Sequence, residues 1–118
     1  ITMENGAAMI ESLNAGKIIP VDEVETLADS LGGGLGNTNA YTFEATRKLI
    51  DETLLLSEDD IATAMRTLFL QDRIVAEGGG AVGIGALLSG RLKLNPGPTA
   101  IVVSGCNVDM DRFRKIIA

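Results

Sequence analysis

Thr99-Ala100-Ile101-Val102-Val103-Ser104-Gly105-Cys106-Asn107-Val108-Asp109 is the stretch from which the fold can be read. Residues 99–103 form a β-branched run, too short for a helix and apolar on both faces, which is the pattern of a buried parallel strand. The turn residues Asn95-Pro96-Gly97-Pro98 precede it, and Ser104-Gly105-Cys106-Asn107 makes a loop past its carboxyl end. Asp109 then caps a last helix carrying Met110, Phe113, Ile116 and Ile117. Turn, strand, loop and helix in that order is the unit of an α/β fold. Open sheets of this class bind ligands beyond the carboxyl ends of their strands, so residues 104–107 are a candidate site.

Working outward, the same alternation recurs. Ser57 opens the clearest element. Ser57 and Asp60 have capping-box spacing, Glu58, Asp59 and Asp60 favour the positive end of the helix dipole, and Ile61, Ala64, Met65, Leu68 and Phe69 recur at helical spacing up to Arg73. Residues 53–56 before it read as a short strand, and Thr42 is placed to cap a helix over residues 42–52, with Phe43, Leu49 and Ile50 buried. Residues 74–76 read as a second brief strand, 78–80 as a tight loop, and 81–89 as a small-residue helix stopped by Gly90. Nearer the start, residues 4–15 read as a helix ended by Gly16, and residues 18–21 as an extended edge segment broken by Pro20. Little hairpin chemistry and many helices between short strands imply a parallel sheet.

Composition narrows the function classes. The 118 residues carry ten Lys and Arg against sixteen Asp and Glu, a formal charge of −6. That balance argues against nucleic-acid binding, which needs clustered cations; only Arg112, Arg114 and Lys115 gather near the end. With 46% hydrophobic residues the chain folds, but three Phe, one Tyr and no Trp leave a small aliphatic core. The absence of His removes the usual general base at neutral pH and the commonest transition-metal ligand. Cys106 stands alone, so no internal disulfide forms, which fits a reducing cytoplasm. No apolar run approaches the ~20 residues that span a bilayer. The first residue is Ile1, inside a mixed segment, which makes the chain an expected piece of something longer.

Three loops have the composition for chemistry, and each has a purely structural alternative. Gly32, Gly33, Gly34 and Gly36 after Ala28-Asp29-Ser30 would let backbone amides approach an anionic or planar ligand, or serve as a flexible connection. Gly78, Gly80 and Gly83 satisfy G-x-G-x-x-G between a strand and a helix. No Asp or Glu lies between Gly83 and Asp109, however, so the acid that would hold a dinucleotide ribose is missing and a nicotinamide site is rejected. What survives is a helix amino end suited to a phosphate or carboxylate, with Glu77 beside it, or glycines that permit close packing. In the loop of residues 104–107, the Ser104 hydroxyl is able to donate to a neutral heterocyclic nitrogen and Gly105 to admit a flat ring; the alternative is a turn with Ser104 bonded to backbone. No His or Lys adjoins Cys106 to lower its pKa, so it reads as a small packing residue.

Taken in order, Leu27-Ala28-Asp29-Ser30, Thr42-Phe43 through Leu49-Ile50-Asp51-Glu52, Ser57-Glu58-Asp59-Asp60-Ile61, Glu77-Gly78-Gly79-Gly80-Ala81-Val82-Gly83 and Val103-Ser104-Gly105-Cys106-Asn107-Val108-Asp109 resemble one family. It is the threonine dehydratase and serine racemase group, pyridoxal-phosphate enzymes of fold type II with the tryptophan synthase β-like architecture. Residues 27–36, with three consecutive glycines, are most similar to the branch that includes the hydroxyectoine-utilisation dehydratases. The resemblance covers nearly the whole chain and matches the C-terminal part of the family. It implies a three-layer αβα parallel-sheet fold, with residues 1–118 an incomplete part of the cofactor-binding large domain.

The resemblance also assigns roles. It implies that Ser104 meets the pyridine nitrogen of pyridoxal 5'-phosphate, that Asn107 lies in the same loop, that Glu77 lines the cofactor pocket, and that Ser30 lies in a loop beside the ring. A neutral hydroxyl does not keep that nitrogen protonated as an aspartate would, which weakens the ring as an electron sink and favours prompt loss of a β-substituent. The implied reaction is β-elimination of a hydroxy amino acid to a 2-oxo acid and ammonia. None of Lys17, Lys48, Lys93 or Lys115 has the family's Schiff-base context, so that lysine and the phosphate cup are expected upstream, and the segment alone is expected to be inactive. Some members bind a divalent cation through acids where this chain has Thr2 and Ala8, so no metal is expected there. The implied partners are an amino-acid substrate, the upstream part of the same enzyme and a homo-oligomer, with neither nucleic acid nor membrane. Racemisation within the same family, and a non-catalytic small-molecule-binding or regulatory module, are the alternatives.

Overall fold

The computed structural model describes residues 1–118, and it is α/β. Two short strands, β1 (Thr2–Met3) and β2 (Leu55–Leu56), pair in parallel with Thr2 opposite Leu55 and Met3 opposite Leu56. Five helices surround them: α1 (Ala8–Ala15), α2 (Thr42–Leu49), α3 (Glu58–Thr67), α4 (Gly78–Leu88) and α5 (Met110–Ile117). A 3₁₀ turn, Asp29–Leu31, stands between α1 and α2.

Helix α3 forms where its local chemistry is strongest. The Asp60 amide donates to the Ser57 hydroxyl at 3.2 Å, and the Ser57 amide donates back to the Asp60 carboxylate at 3.0 Å, closing a capping box. The Ser57 hydroxyl also donates to that carboxylate at 2.8 Å. These bonds, first the one from the Ser57 hydroxyl, outweigh desolvation and with Arg91 hold Asp60 below the ordinary carboxylate range. The apolar face of α3, Ile61, Ala64 and Met65, is fully buried against α4 and α5. Met3 and Leu56 from the strands, Ala81 and Ala86 from α4, and Phe113 from α5 complete the core. Phe113 meets Phe69 edge-on at 5.4 Å, so two of the four aromatic rings pack against each other there.

Several expectations change in detail. Residues 99–103 are not paired in a ladder, and Val102 is 82% exposed. A strand needs a hydrogen-bonded neighbour, and no other segment of this chain lies beside that run as one. Residues 74–76 and 18–21 are likewise outside the sheet, while the strand expected over 53–56 is confined to Leu55–Leu56. Helix α1 starts at Ala8 rather than at residue 4, and α2 stops at Leu49. Thr42 is the first residue of α2 rather than its cap; the side-chain Oδ1 of Asn39 accepts from the Phe43 amide at 2.9 Å and satisfies a donor of the first turn. The helix that opens at Ser57 widens into a π turn over Leu68–Asp72 and ends at Arg73, which is left-handed at φ 62°. Arg73 donates to the Leu70 and Phe69 carbonyls, satisfying acceptors that the helix end exposes.

Candidate functional site

Helix α4 begins at Gly78, so the three glycines expected to form a loop are its first turn. Their role is packing room. A Cβ on Gly78 would lie 2.9 Å from the Ala28 nitrogen and overlap the Leu27 carbonyl; one on Gly79 would overlap the Ser30 hydroxyl. One on Gly80 would lie 2.6 Å from the Ser104 carbonyl carbon, and one on Gly83 would lie 2.5 Å from a methyl of Ile101. The G-x-G-x-x-G spacing therefore lets two remote segments, 27–30 and 101–104, rest on the helix backbone. Of the two readings open for this motif, close packing is the one realised.

Those two segments bring the expected site residues together. Ser30, Glu77 and Asn107 line one cleft of about 370 Å³, with Asp29, Gly78 and Arg112 among their neighbours. Ser104 is not a lining residue of that cleft; it stands next to it, three residues before Asn107. The tie between the two is Glu77. Its amide donates to the Gly105 carbonyl at 3.1 Å, and its carboxylate accepts from the Asn107 amide at 3.1 Å. Gly105 has φ 66°, and a Cβ there would meet the Glu77 carboxylate oxygens at 2.6 and 2.7 Å. The freedom of Gly105 is thus used to seat Glu77, not to clear a ring from that side. The charge of Glu77 is turned toward the loop of residues 104–107.

Ser104 is exposed, and its hydroxyl makes no hydrogen bond within the chain. The turn-bonding alternative for it is therefore not realised. A neutral, exposed hydroxyl on a backbone clamped by Gly80 and Glu77 is a donor suited to an uncharged aromatic nitrogen, so these residues fit the pyridine of pyridoxal phosphate. Cys106 is exposed as well, which overturns its reading as a packing residue. In the glycine loop of residues 32–36, a Cβ on Gly34 or Gly36 would meet nothing within 4 Å, so that loop is a surface connection and brings no amides to the cleft.

One residue of the cleft wall, Arg112, and one behind it, Glu58, have no site role legible in the sequence. Glu58 had been read only as a dipole-favouring acid, yet it accepts from the Thr26 hydroxyl at 2.5 Å and the Leu27 amide at 2.7 Å. Arg112, in the cleft wall, pairs with Glu25 at 3.5 Å. Neither contact has a local signal, because the partners lie far apart in the chain.

The loop of residues 104–107 and the amino end of α4, joined through Glu77, form one edge of an α/β domain. The chain belongs to the family described as pyridoxal-phosphate dependent enzyme, whose profile matches residues 1–105. Among curated relatives, it is 46% identical to a protein of Sinorhizobium fredii named "Putative threonine dehydratase", over 99% of this chain and 35% of that one. It is 38% identical to an L-threonine ammonia-lyase of Thermotoga maritima, over 99% of this chain and 28% of that one. The chain therefore spans about a third of the length of the curated relatives it matches. Among solved structures, a threonine deaminase from the organism abbreviated T.th. superposes with a TM-score of 0.78 at 32% identity, covering 91% of this chain and 38% of that one. Maize serine racemase superposes with a TM-score of 0.81 at 28% identity, covering 97% of this chain and 35% of that one. The fold is that of these fold type II enzymes, as the sequence resemblance implied.

Proposed function

We propose that residues 1–118 form one wall of the cofactor site in a threonine or serine dehydratase-like ammonia-lyase, the C-terminal part of its large domain. The observation that carries the reading is the clamped but free Ser104 hydroxyl, held between Gly80 and the Glu77–Gly105 bond. Relatives named for threonine deamination, at 46% and 38% identity, support the choice of reaction. When bound, pyridoxal phosphate supplies an electron sink for cleaving bonds at the α and β carbons of an amino acid.

This chain's own residues act around that group. Ser104 would hold the ring nitrogen by a hydrogen bond from its hydroxyl without transferring the proton, and a nitrogen kept uncharged would make the group a weaker electron sink, suited to loss of a β-hydroxyl. Glu77 holds the Ser104 loop at the right height by spanning Gly105 and the Asn107 amide. Ser30 and Asn107, which line the cleft, would flank the ring. The anchoring lysine and the phosphate cup are supplied from outside this segment, so the segment alone has no activity. The substrate is a small hydroxy amino acid, the product a 2-oxo acid with ammonia, the setting cytoplasmic and the assembly a homo-oligomer. No helix is long and apolar enough to cross a membrane.

The test uses the complete polypeptide that carries this segment, loaded with pyridoxal phosphate and given L-threonine or L-serine. Release of 2-oxo acid, a Ser104→Ala variant with sharply lower turnover and a shifted cofactor absorption band are the expected results. Unchanged turnover in Ser104→Ala removes the assigned role. The likeness to maize serine racemase favours one second reading, racemisation at the same site. Formation of the D-amino acid faster than the 2-oxo acid would select it.

A further inference from the structure

Glu58 is the first residue of α3, 19 positions before Glu77 in sequence, and both of its carboxylate oxygens are used by a different segment. One accepts from the Thr26 hydroxyl at 2.5 Å, the other from the Leu27 amide at 2.7 Å. Thr26 is itself 3% exposed, and its hydroxyl oxygen accepts in turn from the Ala28 amide at 3.1 Å. Three consecutive residues of the 26–28 segment are therefore fixed by one acid. From there the chain has no slack: Ala28 is fully buried, the Leu27 carbonyl and Ala28 nitrogen press on Gly78, and the next turn sets the Ser30 hydroxyl on Gly79. The Ser57–Asp60 capping box belongs to the same helix end but makes no bond to residues 26–28.

We infer that Glu58, through Thr26, is a positioning residue that sets the Ser30 side of the cofactor cleft. The inference rests on the proposed function above. Glu58 is not itself in the cleft wall, but its bond partners Thr26 and Leu27 are, and it acts by registering residues 26–30 on the first turn of α4. Charge-assisted bonds to a neutral hydroxyl and an amide, partly shielded from water, are the strong members of their class. Their loss frees a short segment whose displacement by even about 1 Å changes a ligand contact by orders of magnitude in rate.

The experiment compares Glu58→Ala, Glu58→Gln and Asp60→Ala in the complete polypeptide. Pyridoxal phosphate is titrated and followed by its absorption and fluorescence, and amide hydrogen exchange is read over residues 26–31. Asp60→Ala is the control, since it removes the cap of the same helix but no bond to the 26–28 segment. The expected result is a cofactor Kd raised about tenfold in Glu58→Ala, a smaller rise in Glu58→Gln, which keeps one acceptor, and faster exchange at Leu27 and Ala28 in both. Asp60→Ala should lower thermal stability without that rise. A Kd and emission band equal to wild type in Glu58→Ala, or an equal rise in Asp60→Ala, overturns the inference and leaves the proposed function standing. A wild-type protein that binds no pyridoxal phosphate overturns both.

Discussion

Replacing Gly80 by Ala separates stability from function in a way the geometry makes quantitative. The new Cβ would sit 2.6 Å from the Ser104 carbonyl carbon and overlap its oxygen. Unstrained carbon contacts are about 3.5–4.0 Å, so the Ser104 backbone must withdraw by about 1 Å or more. Two terms then compete in stability: overpacking costs about 1–3 kcal/mol, while Ala in place of a helical Gly returns up to about 1 kcal/mol. The net loss is at most about 3 kcal/mol, less than the stability of an ordinary domain. The loss in function is large, because a displacement of about 1 Å at a positioning group costs roughly a hundredfold in rate. Turnover of the complete polypeptide and its cofactor absorption spectrum, beside a thermal melt, measure both arms. Gly34→Ala is the matched control, since its Cβ would meet nothing within 4 Å and both arms should stay at wild type. If Gly80→Ala keeps wild-type turnover and spectrum, the Ser104 loop is not seated on α4 as described.

Other perturbations read different parts of the same scaffold. Ser57→Ala removes the cap of α3 and should lower stability by about 1 kcal/mol in denaturant titration. Because Asp60 is held below its usual value of 3.8, its contribution is present above that pH and is lost as pH falls through the lower folded value. Asp60→Asn should flatten that part of an acid-unfolding curve, and an unchanged curve would show that the capping box carries no linkage. Arg91 donates to the Leu55 carbonyl at 2.8 Å and pairs with Glu4 at 3.2 Å and Asp60 at 3.1 Å, so it ties the end of β2 to α3. Its side chain is 44% exposed, and Arg91→Ala should cost only about 1 kcal/mol, less in high salt. Gly78→Ala, which drives a Cβ into the Leu27 carbonyl, should loosen residues 27–30 and raise the cofactor Kd without the loss at Ser104.

The parts of the fold that could be read from sequence are those whose causes lie within four residues. Ser57 with Asp60 and Asp109 with the Arg112 amide are caps of that kind, and both form as their spacing predicts. The apolar stripe of α3 is buried for the same reason. Residues 99–103 show the limit: β-branched composition marks chain that suits a ladder, but a ladder needs a neighbour that composition does not supply. Gly78 to Gly80 look like a loop to propensity and are helix because Leu27, Ser30 and Ser104 need the space a side chain would take. At the site, Ser30, Glu77 and Asn107 line one cleft, while the hold of Glu58 on Thr26, 32 residues away, had no pattern to announce it.

Helix α4 carries Gly78, Gly79, Gly80, Gly83 and Gly85 among its 11 residues. Relative to Ala, these weaken its intrinsic tendency to coil by roughly 4–5 kcal/mol. Such a segment does not nucleate by itself. Its ordering should therefore follow that of α3 and depend on residues 27–30 and 101–104 coming down on it, so mutations along it are expected to change the unfolding rate far more than the folding rate. The part of the molecule that backs the cleft would then be among the last pieces to take shape.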